Sequence, residues 1–337
     1  MYAYGDGCMS AKVGKVLTLD DVKKVAHPAY PYMLPEMRPV SEREAYRHLQ
    51  GAVDMHLHGA PTGWMPNRPS MLETSKEASM AGMKALVFKD HYYMTSPVAR
   101  IIQEALEEWC CDKGLTPVEV YGGVTLNYPV GGLNPAVVRA ALRGDFKERT
   151  KVIWMPSIDS DLTRRAAGLG EGITILENSR LKPEVKEIVG LVAAAENKVV
   201  IETSHLSYPE ILALAEECEK QGVDLVVTHA NQELTLLTVE EALSLVERKA
   251  WIQLAVISML GTPLAAPGWL VNYHHTIELL KSIGPDRVIL CTDAGQTGAK
   301  PVEYFKLGVW SLLTRDISED VVAKIARDNP RRVLGLK

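Results

Sequence analysis

Two histidines separated by one residue, His56 and His58, close a short apolar run, Ala-Val-Asp-Met-His-Leu-His. On a β-strand, residues i and i+2 share a face, so both imidazoles are expected on one side, with Asp54 one step before them. Neutral imidazole is the commonest protein ligand for metals, and His-x-His at a strand end is a bidentate clamp. Later segments supply matching groups. His205 ends Ile-Glu-Thr-Ser-His, His229 ends Val-Val-Thr-His, and Asp293 lies in Cys-Thr-Asp-Ala-Gly, while Lys89 and His91 end Lys-Ala-Leu-Val-Phe-Lys-Asp-His. Several nitrogen and oxygen ligands can hold a divalent ion and leave one position for water, whose pKa the ion lowers towards neutrality. Asp293 is the expected proton carrier. His229 is expected to polarise a substrate carbonyl or oxyanion.

Positioning these groups together requires a fold that gathers strand ends. From about residue 50 onward, short β-rich runs alternate with helical patterns. Strands are expected at residues 52–58, 84–91, 118–127, 151–159, 198–205, 224–229, 250–259 and 287–293, and helices at 71–82, 96–111, 183–196, 208–221, 239–249, 273–283 and 302–314. A further helix opens at Asn134-Pro135, with Asn as N-cap and Pro at the first helical position. Eight strand–helix units predict an α/β fold, the (β/α)8 TIM barrel, with catalytic groups at the C-terminal strand ends. The rival, an open doubly wound sheet, normally carries a Gly-rich turn after its first strand; this chain has His-Gly-Ala-Pro there. Strand parity places Ile201, Thr203 and His205 on one face, Leu225, Val227 and His229 on another, and Ile289, Cys291 and Asp293 on a third. Residues 1–50 read as an N-terminal extension packed on a barrel of residues 51–337. Residues 160–182 are long enough for a small hairpin or lid.

The 337 residues are 47% hydrophobic with a net charge of −5, which suits one large barrel and gives no electrostatic case for nucleic acid or an anionic membrane. No apolar run approaches a membrane span, the first residues lack a signal-peptide layout, and the five cysteines form no C-x-x-C pair. These features read as a cytoplasmic protein with reduced thiols acting on a small molecule.

The set resembles the amidohydrolase superfamily of metal-dependent hydrolases, whose pattern is His-x-His on strand one, His on strands five and six and Asp on strand eight. His56, His58, His205, His229 and Asp293 match it in order and strand number. The tail Asp-Asn-Pro-Arg-Arg-Val-Leu-Gly resembles the Asn-Pro-x-x-x-Leu-Gly ending of these barrels. Within the superfamily the chain looks most like an uncharacterised amidohydrolase-like branch, with Lys-x-His after strand two and Gly-Gly-x-x-Leu-Asn on strand three. The resemblance implies zinc, with manganese, iron or nickel as other candidates. In a one-ion form, His56, His58, His205 and Asp293 bind it and His229 sits behind. In a two-ion form, His205 and His229 take the second ion and a carboxylated Lys89 bridges the two. Homo-oligomers are common among such barrels, so a homo-oligomer is expected by analogy.

Two-ion members often carry a bridging lysine or glutamate at the end of strand four, and Val-Ile-Trp-Met-Pro-Ser-Ile-Asp offers neither. Lys89 therefore has three readings: a cation for a substrate carboxylate or oxyanion, the bridge, or a partner of Asp54. His91 is expected to face substrate or to bond a loop, and Asn127 to contact substrate or to open a turn. Glu202 has the wrong parity and is expected to face a helix. Asp159 is expected to cap a loop, Arg164 and Arg165 to form a solvated charge pair, and one of His274 and His275 to face solvent. Trp64 and Trp269 wall the pocket or simply pack. The leading expectation is a metal-dependent hydrolase of a small-molecule amide, cyclic amide or ester. The alternatives are a metal-dependent decarboxylase and a catalytically silent metal- or ligand-binding barrel.

Overall fold

The structure, a computed structural model, describes residues 38–63, 65, 68–261, 272–296 and 298–337. Trp64 and Trp269, and nearly all of the expected N-terminal extension, lie outside them. The chain divides into two compact units, Met1–Pro39 and Val40–Lys337. The second begins with a helix, Glu42–Arg47, capped by Ser41. Ala45 and Leu49 are fully buried in the same apolar core as the barrel helices. That unit therefore starts some ten residues before the first strand.

Eight parallel strands follow in sequential order: β1 (Val53–Leu57), β2 (Ala85–Phe88), β3 (Glu119–Thr125), β4 (Thr150–Trp154), β7 (Val200–Glu202), β8 (Leu225–Val227), β9 (Trp251–Ala255) and β10 (Val288–Cys291). Between β4 and β7 lies an antiparallel hairpin of two short strands, β5 (Leu176–Glu177) and β6 (Arg180–Leu181), within the segment expected to hold one. Backbone bonds join the first and last strands at their C-terminal ends: Asp293 N–H donates to the His56 carbonyl (2.8 Å) and His58 N–H to the Ala294 carbonyl (2.7 Å). This is the (β/α)8 barrel, closed at the level where the candidate ligands sit.

Two apolar clusters show which way each strand residue points. One contains Leu86, Phe88, Ile153, Ile201, Leu225, Val227, Leu254 and Leu290 together with helix residues. The other contains Val53, Met55, Val87, Val152, Trp154, Val200, Val226, Trp251 and Ile289 and fills the barrel interior. Val333 and Leu334 of the C-terminal helix Asn329–Leu334 join the interior cluster, so the Asn-Pro-Arg-Arg-Val-Leu-Gly tail plugs the barrel floor. The Asn329 amide donates to the Pro285 and Val288 carbonyls (both 2.7 Å), and Lys151 Nζ donates to the Leu334 carbonyl (3.1 Å). The helices are cued locally as expected. Ser96–Cys111, Tyr208–Gln221 and Tyr273–Ile283 have the boundaries read from sequence, and Tyr208–Gln221 carries a capping box and ends at Gly222 in the left-handed conformation.

Candidate metal centre

The strands end earlier than their apolar runs suggest, and the chemical groups sit just beyond them on irregular backbone. The β1–β2 register slips between Asp54 and Leu57, the mark of a bulge. It lets Met55 and His56 both turn away from the helix layer and takes Asp54 out of the alternation. Asp54 accepts hydrogen bonds from the backbone N–H groups of Thr292 (3.1 Å) and His56 (3.3 Å) and from the Thr292 hydroxyl. It thus pins β1 to the loop after β10, and neither shares the imidazole face nor pairs with Lys89. Burial pushes its carboxyl up to about 7, against the Thr292 and His56 hydrogen bonds.

Parity also fails as the explanation for His205 and His229, since Ile201, Leu225 and Val227 face the helices. Backbone turns take its place. Ser204, His229 and Asp293 have φ of 49°, 31° and 51°, a region non-glycine residues rarely enter and one that clusters at functional sites. These kinks swing His205, His229 and Asp293 over the barrel mouth.

There the groups converge. His58 Nε2 lies 3.1 Å and His56 Nε2 3.4 Å from Asp293 Oδ1, and one ligand atom from each of the three residues falls within 4.8 Å of the others. His205 and His229 stand beside this set, 5.0 Å apart by ring centroid, with His229 5.7 Å from His56. Their nitrogens fall outside the tight triad. His91 stacks on His58 at 5.1 Å.

Four of the five imidazoles are held from behind. His56 Nδ1 meets Gln253 Oε1 at 3.0 Å, while Gln253 Nε2 donates to Glu202 Oε1 at 3.1 Å. The amide is thereby oriented with its oxygen towards His56, so Nδ1 carries the proton and Nε2 presents a lone pair. The Thr235 hydroxyl donates to the His229 carbonyl (3.1 Å) and so accepts from His229 Nδ1 (3.0 Å). Thr163 holds His205 Nδ1 (2.9 Å) and Ser157 holds His91 Nδ1 (2.8 Å). Partners of this kind fix ring orientation at metal sites. His56 Nε2, which faces Asp293, is buried without a hydrogen-bond partner, a cost of about 1–3 kcal/mol that a bound ion would relieve; His58 Nδ1, on the far side of its ring, is also unpartnered. Burial first, and neighbouring cations such as Lys89 next, hold His56 well below its ordinary range, and burial does the same for His58, His91 and His229 and takes His205 down to about 3. All five rings are neutral at pH 7, the form that ligates. The residues present fit a divalent ion.

Sequence reasoning misplaced one group and missed others. Glu202 shares the side of Val200 and lies inside the barrel, where it accepts from Trp154 Nε1 (2.8 Å), Thr228 Oγ1 (3.2 Å) and Gln253, and burial raises its carboxyl to about 7. A glutamate and a glutamine inside Val-Val-Ile-Glu-Thr and Trp-Ile-Gln-Leu-Ala were the available signals. Asn127 spends its amide inside the protein, donating to the His91 carbonyl (3.1 Å) and Ser157 Oγ (2.9 Å) and accepting from Ser157 N–H (2.9 Å). It braces the His91 backbone. Lys89 is buried beside Trp154, with Nζ 5.9 Å from the ring centroid. Arg68, buried in the loop after β1, drew no notice because its neighbours carry no periodic pattern. Farther out, Asp159 accepts from Tyr128 N–H (2.9 Å), Arg164 ties the backbone of Leu169 and Glu171, and Arg165 pairs with Asp161. His274 is exposed.

Comparison with known proteins places this geometry. Residues 51–253, more than half of the chain, match the model of DUF6282, a family of unknown function. The chain belongs to this family. No curated protein matches the DUF6282 chain in sequence. Among solved structures, it is similar to an amidohydrolase from Pseudomonas aeruginosa (14% identity, 88% of this chain and 98% of that one, TM-score 0.58). It is also similar to a mutant PTE-like lactonase from Deinococcus radiodurans (16%, 86% and 97%, 0.55) and to a candidate 2-pyrone-4,6-dicarboxylic acid hydrolase from Pseudomonas putida (18%, 85% and 97%, 0.50). The DUF6282 chain thus shares the barrel fold of these solved structures. No helix among the described residues is long and apolar enough to cross a membrane.

Proposed function

We propose that the chain is a metal-dependent hydrolase acting on a small-molecule amide, cyclic amide or ester. The observation that carries this reading is the triad itself: His56, His58 and Asp293 brought together at the mouth, with the His56 lone pair presented by a buried relay through Gln253 to Glu202. His56, His58 and Asp293 would hold the ion, with His205 completing its coordination or sharing a second ion with His229. Zinc suits this nitrogen-rich set. When bound, a divalent ion supplies Lewis acidity and makes water acidic enough to act near neutral pH.

The chain's own groups account for the remainder. Asp293 would use the carboxylate oxygen that is not turned to His56 and His58 to take a proton from the attacking water and return it to the leaving group. His229, neutral and oriented by Thr235, and Lys89, dry beside Trp154, can face the developing oxyanion, where water exclusion strengthens their effect. His91, braced by Asn127 and Ser157, lines the substrate side.

Metal content per chain, measured by inductively coupled plasma mass spectrometry on protein purified without chelator, tests the reading. About one equivalent is expected, lost in His58→Ala, together with turnover on a panel of lactones and amides. Two equivalents falling in Lys89→Ala would favour the carboxylated-lysine bridge. Metal uptake with no turnover, and no effect of Asp293→Asn in vivo, would leave the silent barrel standing. No uptake on titration would sink the proposal.

A further inference from the structure

The groups behind the imidazoles do not all run the same way. Ring centroids set the five in an arc, His91–His58–His56–His229–His205, with successive spacings of 5.1, 5.6, 5.7 and 5.0 Å. A neutral imidazole has one N–H and one lone pair, and the group that holds Nδ1 decides which of them Nε2 presents. His56 and His229 donate from Nδ1, to Gln253 Oε1 and Thr235 Oγ1, so each keeps its lone pair on Nε2.

The two ends of the arc are held the other way round. Ser157 is fully buried, and its Oγ meets Asn127 Nδ2 (2.9 Å) and His91 Nδ1 (2.8 Å). The Asn127 amide cannot be turned over, because its oxygen accepts from the Ser157 backbone N–H (2.9 Å) and its nitrogen donates to the His91 carbonyl (3.1 Å). Asn127 therefore donates to Ser157 Oγ, and among the described residues the acceptor left for the serine proton is His91 Nδ1. The reverse would leave a buried hydroxyl proton unpaired, which native interiors avoid. At the other end Ser160, also buried, donates from Oγ to Thr163 Oγ1 (2.9 Å) while it accepts from Thr163 N–H (3.1 Å). Thr163 in turn passes its own proton to His205 Nδ1 (2.9 Å). Ser157, Ser160 and Thr163 all belong to the segment after β4, and His205 N–H is tied to the Pro156 carbonyl of that segment (3.2 Å). The strands β4 and β10 are the fourth and eighth of eight in sequential order, so this segment stands across the mouth from Asp293.

We propose that His91 and His205 carry their protons on Nε2 and form the hydrogen-bond donor side of the mouth, which receives oxygen acceptors of the substrate, and that His229 rather than His205 joins His56, His58 and Asp293 at the ion. A ligand nitrogen needs a lone pair, and His205, held by Thr163 in this sense, offers an N–H instead. That N–H suits a carbonyl oxygen that gains negative charge as water attacks it. The substrate class so favoured has acceptor oxygens, not N–H groups, on the side facing the β4 segment. This inference rests on the hydrolase reading and deepens it. Within that reading it gives the ion to His229 and the developing oxyanion to His205, the reverse of the one-ion arrangement that the superfamily pattern implies.

The test reads the ring protons directly, by long-range proton–nitrogen NMR correlation on the EDTA-treated full chain with 15N in its histidine rings. Substituting one histidine at a time assigns the resonances. His91 and His205 should show the Nε2–H form, and His56 and His229 the Nδ1–H form. Thr163→Val should abolish the Nε2–H preference of His205, and Thr163→Ser, which keeps the hydroxyl, should restore it. In competition with a chromophoric chelator, His229→Ala should weaken zinc binding by about tenfold or more, and His205→Ala by less than about twofold. Methylphosphonate, a tetrahedral oxyanion like an attacked ester, should bind zinc-loaded His205→Ala about tenfold more weakly than wild type. An Nδ1–H form of His91 or His205 in the metal-free chain, equal loss of zinc in His205→Ala and His229→Ala, or unchanged methylphosphonate binding in His205→Ala would overturn the proposal. The expected ring forms in a chain that takes up no zinc would keep the donor side and remove the hydrolase reading instead.

Discussion

At the scale of single residues, the candidate site is set by the groups behind its imidazoles, which orient His56, His91, His205 and His229. Gln253 is the clearest case, since its amide reads the Glu202 carboxylate on one side and delivers an acceptor to His56 on the other. Gln253→Leu should leave the fold intact and lower zinc affinity by about 10–100-fold, measured by competition with a chromophoric chelator. The neutral rings also set a pH dependence. The histidines 56, 58, 91, 205 and 229 titrate lower in the folded chain than in the unfolded one, whereas Asp54 and Glu202 titrate higher, at about 7. Below an unfolded histidine pKa of about 6.5, the unfolded state binds more protons at the five rings, so stability falls as pH falls. The two raised carboxyls act oppositely, favouring the folded state below about 7 and losing that contribution as pH rises towards it. Five groups outweigh two, so the melting temperature of EDTA-treated protein should drop between pH 7 and pH 5. A melting temperature that rises over that interval would contradict the burial of neutral imidazoles.

At the scale of elements, the chemistry sits where regular structure stops. Strands β7, β8 and β10 end after Glu202, Val227 and Cys291, and positive-φ residues then aim the side chains. The loop after β10 depends on one glycine. Gly295 has φ of +90°, and a Cβ there would meet the His58 carbonyl oxygen at 1.7 Å. Gly295→Ala should therefore push this loop away from β1, destabilise the chain by about 2–4 kcal/mol in urea unfolding and lower zinc uptake. Unchanged uptake would mean that Asp293 does not depend on this close approach. Order, number and type of the elements were legible because eight apolar runs alternate with amphipathic helices carrying local caps. The bulge in β1 was not legible. A one-residue slip leaves no compositional trace in Val-Asp-Met-His-Leu, yet it decides that Asp54 binds Thr292 instead of joining the site.

At the scale of the whole molecule, the barrel is closed at the mouth by the β1–β10 bonds around the site and plugged below by Val333 and Leu334. The two ends serve different purposes. The floor stabilises and the mouth carries the candidate site, a division typical of this fold. Leu334→Ala should cost about 2–5 kcal/mol by opening a cavity under the strands, read as a lower urea midpoint, while zinc stoichiometry stays at its wild-type value. Loss of zinc in that variant at temperatures where it remains folded would show that floor and mouth are coupled.

Sequence alone determined the (β/α)8 plan and the identity of the convergent histidines and aspartate. Strand–helix alternation is written in local apolar periodicity, and chemically reactive residue types stand out at strand ends. Only the tertiary structure decided which of those groups meet and which support them. It moved Asp54 out of the site and Glu202 in, and turned Asn127 into a brace for His91. These outcomes depend on a bulge and three left-handed turns, each a matter of backbone dihedrals and close contacts between residues far apart in the chain. Local pattern carries little information about such contacts.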